Sequence, residues 1–307
     1  MIDTRRLRTL RAVADHRTVT AAAAALHLTP SAVSQQLVAL EHEVGHRLLD
    51  RDGRGVRLTA VGRILLDHAN EILAQLERAE ADIAAYTAGT AGEVKVASFA
   101  TAIGLVVAPA VGVLRDKEPG IRVRVLDAEG DQSLTMVLDG AVDAAVAVEY
   151  RGAPAEDDRR LSRIPLYSEP FDLVLPRGHR LSGGGVTVAD LSGETWIGPY
   201  PGNPCHDVIA LACEHAGFTP EFAHSSDDFS AVVALAAAGA GVAMVPRLAL
   251  RGTDPSGVVI RPVPGPERRV FTAVRRGTER HPLLTPLLNA LQDTATTLDR
   301  TSSPKGP

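Results

Sequence analysis

From the N-terminus the apolar positions recur at a helical step. Leu7, Leu10 and Val13 predict a first helix, and an alanine run from Ala21 to Leu26 predicts a second with Thr20 as its cap. Thr29-Pro30 supplies an N-cap and an N1 proline for a third, which runs from about Pro30 to Val44 and stops at Gly45. On this third helix Val33, Leu37, Leu40 and Val44 share one side, while Ser31, Ser34, Gln35 and Val38 fall nearly opposite. One face packs and the other is free to touch a partner. From Arg47 to Leu58 two glycines, Gly53 and Gly55, separate short apolar runs, as in a tight two-stranded wing. Next, Leu65, Ala69, Ile72, Leu76, Ala79, Ile83 and Tyr86 step alternately by four and three, an a/d seam. On a lone helix such a stripe stays wet, so it predicts pairing with a second copy. Packing on the chain's own domain is the alternative.

After the small, flexible segment Ala88–Gly92 the texture changes to strand and helix in alternation. Val94–Ser98, Ile121–Leu126 and Asp143–Val148 are β-rich runs, with helical patterns at about 101–117 and 131–139 between them. A comparable second set follows, with strands at Phe171–Leu175, Thr195–Ile197, Glu221–His224 and Val242–Val245 and helices at about 203–216 and 228–238. Val258–Arg261 and Arg269–Arg275 read as further strands, and a last helix covers about 283–298. The alternation predicts parallel sheet covered by helices, in two lobes with a ligand cleft between them. The fold class is α+β multidomain. A winged helix-turn-helix spans 1–59, a linker helix 60–88 and a two-lobed α/β domain 89–300. Its lobe I covers about 93–165 and 268–300, its lobe II about 166–267, and 301–307 is a disordered tail.

Charge changes this picture only through its distribution. The net charge is -5, yet residues 1–60 hold nine arginines against six carboxylates, a basic head on an acidic body. Counterion release on DNA needs positive charge only where phosphates lie. No apolar run is long enough to span a bilayer, and the N-terminus lacks the apolar core of a secretory signal, so a cytoplasmic protein is expected. Cys205 and Cys213, eight apart on one predicted helix, read as reduced structural thiols, with redox sensing the minor alternative.

The second and third helices, joined by a short turn at His27–Thr29, form a helix-turn-helix whose second member would enter the major groove. Thr29, Ser31, Ser34, Gln35 and Gln36 near its start are the candidate DNA-reading residues; glutamine can pair with adenine, and hydroxyls serve bases or phosphates. Arg47, Arg51, Arg54 and Arg57 would bring guanidinium groups to phosphates or the minor groove from the wing.

The run Ala22-Ala23-Ala24-Ala25-Leu26-His27-Leu28-Thr29-Pro30-Ser31-Ala32-Val33-Ser34-Gln35-Gln36-Leu37 resembles the DNA-binding region of LysR-type transcription regulators. So do Leu40-Glu41-x-Glu43-x-Gly45-x-Arg47-Leu48-Leu49-x-Arg51 and Gly55-Val56-Arg57-Leu58-Thr59-x-x-Gly62, and Ala238–Pro246 is similar to the family's second-lobe motif. Pro30-Ser31 and Gln35 depart from the family's usual residues, which bears on base preference. The resemblance implies a periplasmic-binding-protein-like effector domain and a homodimer through the linker helix, often a homotetramer, on an interrupted inverted repeat of double-stranded DNA. It also implies a small-molecule effector in the interlobe cleft, which changes DNA bending or contact with RNA polymerase.

For the effector, Ser98, Phe99, Ala100 and Thr101 stand where the first strand ends and a helix begins, so free N–H groups and two hydroxyls converge there. The family commonly uses this turn; capping alone is the alternative. Gln132 and Ser133 open the next helix, Glu149 follows the third strand, and Pro199, Tyr200 and Asn203 precede a helix of the second lobe. Glu149 and Asp127 would repel a purely anionic ligand and leave room for a cationic one. No GxSxG, HExxH, GxGxxG or GxxxxGK[ST] stands in strand-turn-helix context, so neither an enzyme nor a cofactor is expected. His42 and His46 lack the glutamate of a zinc site, and Gly183–Gly185 reads as a loop. The competing class is a solute-binding module or vestigial enzyme whose helical head only dimerises.

Overall fold

The computed structural model of the chain describes residues 2–52, 55–87, 91–154 and 158–302. The head is three helices and a wing: α1 (Thr4–His16), α2 (Val19–Ala25), α3 (Pro30–Val44), β1 (Leu49–Asp52) and β2 (Gly55–Leu58). Thr18 rather than Thr20 caps α2; its backbone is extended, which turns its hydroxyl onto the Ala21 N–H. Leu7, Leu10, Val13, Ala22, Val33, Leu37, Leu40 and Leu48 close one small core, each buried leucine or valine worth about 1.5–3 kcal/mol. β1 and β2 pair antiparallel from Leu49–Leu58 to Asp52–Gly55, and the Glu41 carboxylate accepts the Leu48 N–H at 2.7 Å, tying the wing's entry to α3.

The linker helix is α4 (Ala60–Thr87). It begins against the wing's entry, where a Cβ on Gly62 would lie 2.1 Å from the Leu48 carbonyl oxygen. The a/d seam divides. Leu65 and Ala69 pack into the head core, whereas Ile72 is 44% exposed and Ala79 and Ile83 are also exposed. Of Tyr86 only the backbone is described.

The body is built on β3 (Gly92–Ser98), β4 (Ile121–Asp127), β5 (Ala144–Val148), β6 (Leu161–Pro176), β7 (Thr195–Gly198), β8 (Glu221–Ser225), β9 (Ala243–Pro246) and β10 (Val258–Arg275). Its helices are α5 (Ala100–Ala102), running through a π stretch at Ile103–Val107 into α6 (Ala108–Lys117), then α7 (Gly130–Leu138), α8 (Pro204–His215), α9 (Phe229–Ala237) and α10 (Leu284–Ser302). The last helix therefore extends four residues beyond the expected 298, into the segment read as tail; 303–307 lie outside the described residues.

Six strands form one sheet in the order β4-β3-β5-β10-β6-β9, and β7-β8 form a small parallel one. The expected parallel sheet is mixed. β3 is parallel to β4 and β5, but β10 is antiparallel to β5 and β6, and β6 is antiparallel to β9. The cause is connectivity: the chain leaves lobe I along β6 and returns along β10, and strands that run out and back must pair antiparallel. Lobe II is thus an insertion within lobe I. Side-chain alternation then sorts the core of lobe I. Val94, Val96, Val146 and Val148 pack under α6 and α10, while Ala97, Ala145 and Ala147 pack under α7. Lobe II closes around Phe171, Trp196, Ile209, Val232 and Met244.

The head rests on lobe I of its own chain. Asp15 pairs with Arg160, His16 with Asp139 at 3.0 Å, Glu77 with Arg275 at 3.6 Å, and Gly277 packs against the Ala74 carbonyl of α4. Burial raises the Asp15 and Glu77 carboxyls above their usual range, opposed by the neighbouring arginines.

Candidate functional site

The outward face of α3 is set from both ends. Thr29 accepts the Ala32 N–H on its hydroxyl at 3.2 Å, Pro30 occupies the first turn, and Gly45 closes the helix in the left-handed conformation, φ 76°. Because Val33, Leu37 and Leu40 are buried, Ser31, Ser34, Gln35 and Val38 are exposed on the opposite side. Ser34 donates its hydroxyl to the Pro30 carbonyl at 2.9 Å, which leaves the oxygen able to accept. Val38, 65% exposed, offers an apolar contact of the kind a thymine methyl takes. Gln36 is turned differently. It is half-buried, and its amide oxygen accepts from Thr9, so it docks α1 onto α3. Arg47, just before β1, and Arg57, on β2 opposite Asp50, are exposed. Arg54, and the side chain of Arg51, lie outside the described residues.

Between the lobes lies a cleft of about 810 Å³. Lobe I lines it with Ala100, Thr101, Gly104, Asp127, Glu129 and Gln132, at the ends of β3 and β4 and the start of α7. Lobe II lines it with Asp227, Asp228, Ser230, Arg251 and Thr253, around the start of α9 and the segment after β9. Burial, then the like charges of Asp227 and Asp127, push the Glu129 carboxyl up to about 7. At the hinge below, Arg268 and Glu169 face each other across β10 and β6, both buried, with Nε donating to the carboxylate at 2.8 Å.

Two family descriptions match the chain. "Bacterial regulatory helix-turn-helix protein, lysR family" matches residues 4–63, and "LysR substrate binding domain" matches residues 87–296. The chain belongs to the LysR family. Among LysR relatives, a "probable hydrogen peroxide-inducible genes activator" of Mycobacterium leprae is 30% identical over 289 residues, covering 89% of this chain and 88% of that protein. The regulator AlsR of Bacillus subtilis is 30% identical over 255 residues, 80% of each. A full-length OxyR variant from Pseudomonas aeruginosa has the same fold, with a TM-score of 0.62 at 22% identity over 100% of this chain and 99% of that one. The protein is therefore a LysR-type DNA-binding transcription regulator with an effector-binding domain.

Within this LysR effector domain the predicted residues separate. Ala100, Thr101 and Gln132 line the cleft; the others are elsewhere. Ser98 and Ser133 are fully buried, the latter donating to the Gly130 carbonyl at 2.9 Å. Phe99 is buried beneath the Arg268 guanidinium, 5.0 Å from its ring centre. Glu149 pairs with Arg163 at 3.4 Å and Arg269 at 3.8 Å. Pro199 is buried, Tyr200 points to solvent, and Asn203 caps α8 while donating to Asp227 at 3.1 Å. The turn before α8 nevertheless meets the other lobe, since Pro204 packs close to Gly130. Glu129, Asp227, Asp228, Ser230 and Arg251 line the cleft but are not among the residues the sequence pattern singles out. Applying to β8 the strand-end rule that singled out Ser98–Thr101 would have found Asp227–Ser230.

Cys205 and Cys213 both lie on α8, buried and unpaired. Cys205 has the Arg268 guanidinium 3.7 Å from its sulfur, yet burial dominates and pushes its thiol up to about 11. Among the described residues no group of three or more His, Cys, Asp or Glu is arranged to hold a metal ion, and no helix is long and apolar enough to cross a membrane.

Proposed function

We propose that this LysR regulator acts in the cytoplasm as a homodimer or homotetramer on an interrupted inverted repeat near a promoter. Residues 1–59 read DNA, 60–88 pair the copies, and 89–300 bind a small effector that alters DNA bending or contact with RNA polymerase. One observation carries the reading: a helix that buries Val33, Leu37 and Leu40 turns Ser31, Ser34 and Gln35 outward as a set, with exposed Arg47 and Arg57 on the wing that follows it. Ile72 and Ala79, exposed on α4, support pairing through that helix. The test is a mobility shift of duplexes from the region upstream of the protein's own gene. Binding above the random-sequence level, falling steeply with salt, is the expected result. Failure of every such duplex to exceed random DNA would refute it.

A second reading concerns the signal. Relatives named for peroxide induction, together with Cys205 beside Arg268 at the start of α8, favour oxidation of that thiol. Its buried, protonated state requires the lobes to open before a thiolate forms. Peroxide treatment followed by intact-mass measurement decides it: added oxygen on Cys205 supports the reading, and an unchanged mass with unaltered DNA binding removes it.

A further inference from the structure

The lining of the interlobe cleft holds four carboxylates, Asp127, Glu129, Asp227 and Asp228, against one guanidinium, Arg251. They are not equivalent. Asp228 is committed as the cap of α9, accepting the Ser230 N–H at 2.8 Å and its hydroxyl at 2.7 Å. Asp227 is positioned from behind, one oxygen receiving the Tyr200 N–H and the Asn203 amide, each at 3.1 Å, so that its second oxygen is left for a ligand. Glu129 is half-buried, and among the described residues no hydrogen bond or ion pair reaches its carboxylate. A half-buried acid without a donor, facing a second acid fixed on the opposite lobe, is an unfavourable pair that a ligand can relieve.

We infer that the effector of this cleft carries a cationic group, a protonated amine or a guanidinium, held between Glu129 of lobe I and Asp227 of lobe II. The inference rests on the cleft being the effector site and adds the chemical class it takes. The cation supplies the donors that Glu129 lacks and relieves the like charge of Asp227 across the cleft, so binding favours closure. An anion meets a lining whose formal charge is -3 with all four acids ionised. The groups facing Glu129 are Asp127 from β4, Asp227 from lobe II and Arg268 from β10. A cation favours the ionised carboxylate, so its binding releases a proton near neutral pH and strengthens as pH rises through about 7.

The test uses the full-length protein and a fixed panel: putrescine, agmatine and L-arginine, then glutarate and benzoate, sorbitol, and magnesium ion alone. Thermal unfolding is followed by fluorescence of the single tryptophan, Trp196, buried in lobe II. A higher midpoint with at least one amine, and none with the anions, sorbitol or magnesium, is the expected result. Titration calorimetry in two buffers of different ionisation enthalpy then shows proton release at pH 7 that vanishes in Glu129→Gln. Glu129→Gln and Asp227→Asn each weaken the amine by about 10- to 100-fold. A panel in which no amine stabilises, in which magnesium does as well as the amines, or in which the amine binds without proton release overturns the inference. Gly104→Phe separates the two levels of the argument, because a Cβ there meets nothing within 4 Å and the ring projects into the cleft. If an anion binds and Gly104→Phe abolishes it, the cleft stands and the cationic class falls. If any ligand binds undisturbed by Gly104→Phe, the cleft itself is the wrong site.

Discussion

Removing the guanidinium at the hinge gives the most demanding test of how the two lobes are held. Arg268→Ala leaves Glu169, 3% exposed, with the Leu248 N–H at 2.6 Å as its remaining donor. Stripping one partner from a buried ion pair costs about 3–5 kcal/mol, because the other charge stays desolvated and uncompensated. That is a large share of the 5–15 kcal/mol or so by which a domain is stable. With a urea slope of about 2–3 kcal/mol/M, the Trp196 unfolding midpoint falls by about 1–2 M. The double variant Arg268→Met/Glu169→Leu removes both charges and keeps apolar volume, so it is expected within about 1 kcal/mol of the parent, far from the sum of the singles. Arg115→Ala, on the exposed side of α6, serves as control and shifts stability by no more than about 0.5 kcal/mol. A single variant no worse than the control, or a double variant as unstable as Arg268→Ala, would refute the account of the pair.

On DNA, Gln35→Ala is expected to cost about 1–3 kcal/mol on the specific site and little on random duplex, whereas Arg57→Ala weakens both about equally; equal losses for Gln35→Ala in a paired mobility-shift series would remove it from base reading. Gly62→Ala forces a Cβ against the Leu48 carbonyl and is expected to abolish DNA binding while Trp196 still reports a folded lobe II. Ile72→Glu places charge on the exposed stripe of α4 and should lower the mass seen by light scattering; an unchanged oligomer would move the pairing surface elsewhere. The Glu129 carboxyl, raised in the fold, titrates above its unfolded value, so between pH 4.5 and 7 the unfolded chain loses its proton first and unliganded stability falls. Melting curves of Glu129→Gln should therefore gain on the parent as pH rises through that window, with no gain below it.

The head was legible in detail because its signals are local. Thr29-Pro30, Gly45 and the spacing of Val33, Leu37 and Leu40 each act within one or two turns, and the structure has α3 at the expected bounds. The cap of α2 was misplaced because Thr18 and Thr20 are chemically alike, and only backbone angles decide between them. The pattern shows only the end of β6, from Phe171, and splits the single strand β10 into two, Val258–Arg261 and Arg269–Arg275. Pro165, Pro170, Pro262 and Pro264 interrupt the β pattern, and the register shifts at Pro262/Glu267 and Val270/Phe271 absorb those interruptions in space. The cleft was hardest, since Glu129 and Asp227 meet only once the chain has run out along β6 and doubled back toward β10. Ser98 and Ser133 carry the right chemistry, but the strand alternation and the helix turn that hold them point their hydroxyls into the core.

Because α4 and the head are seated on lobe I, which also carries the final helix, the remaining lobe is a pendant loop of fold tethered by two strands. If the cleft closes on an effector as proposed, the DNA-reading end keeps its bearing on the anchored lobe and the pendant one does the travelling. On that proposal the signal passes to the operator through contacts the travelling lobe makes with another copy, a property of the assembly rather than of one chain.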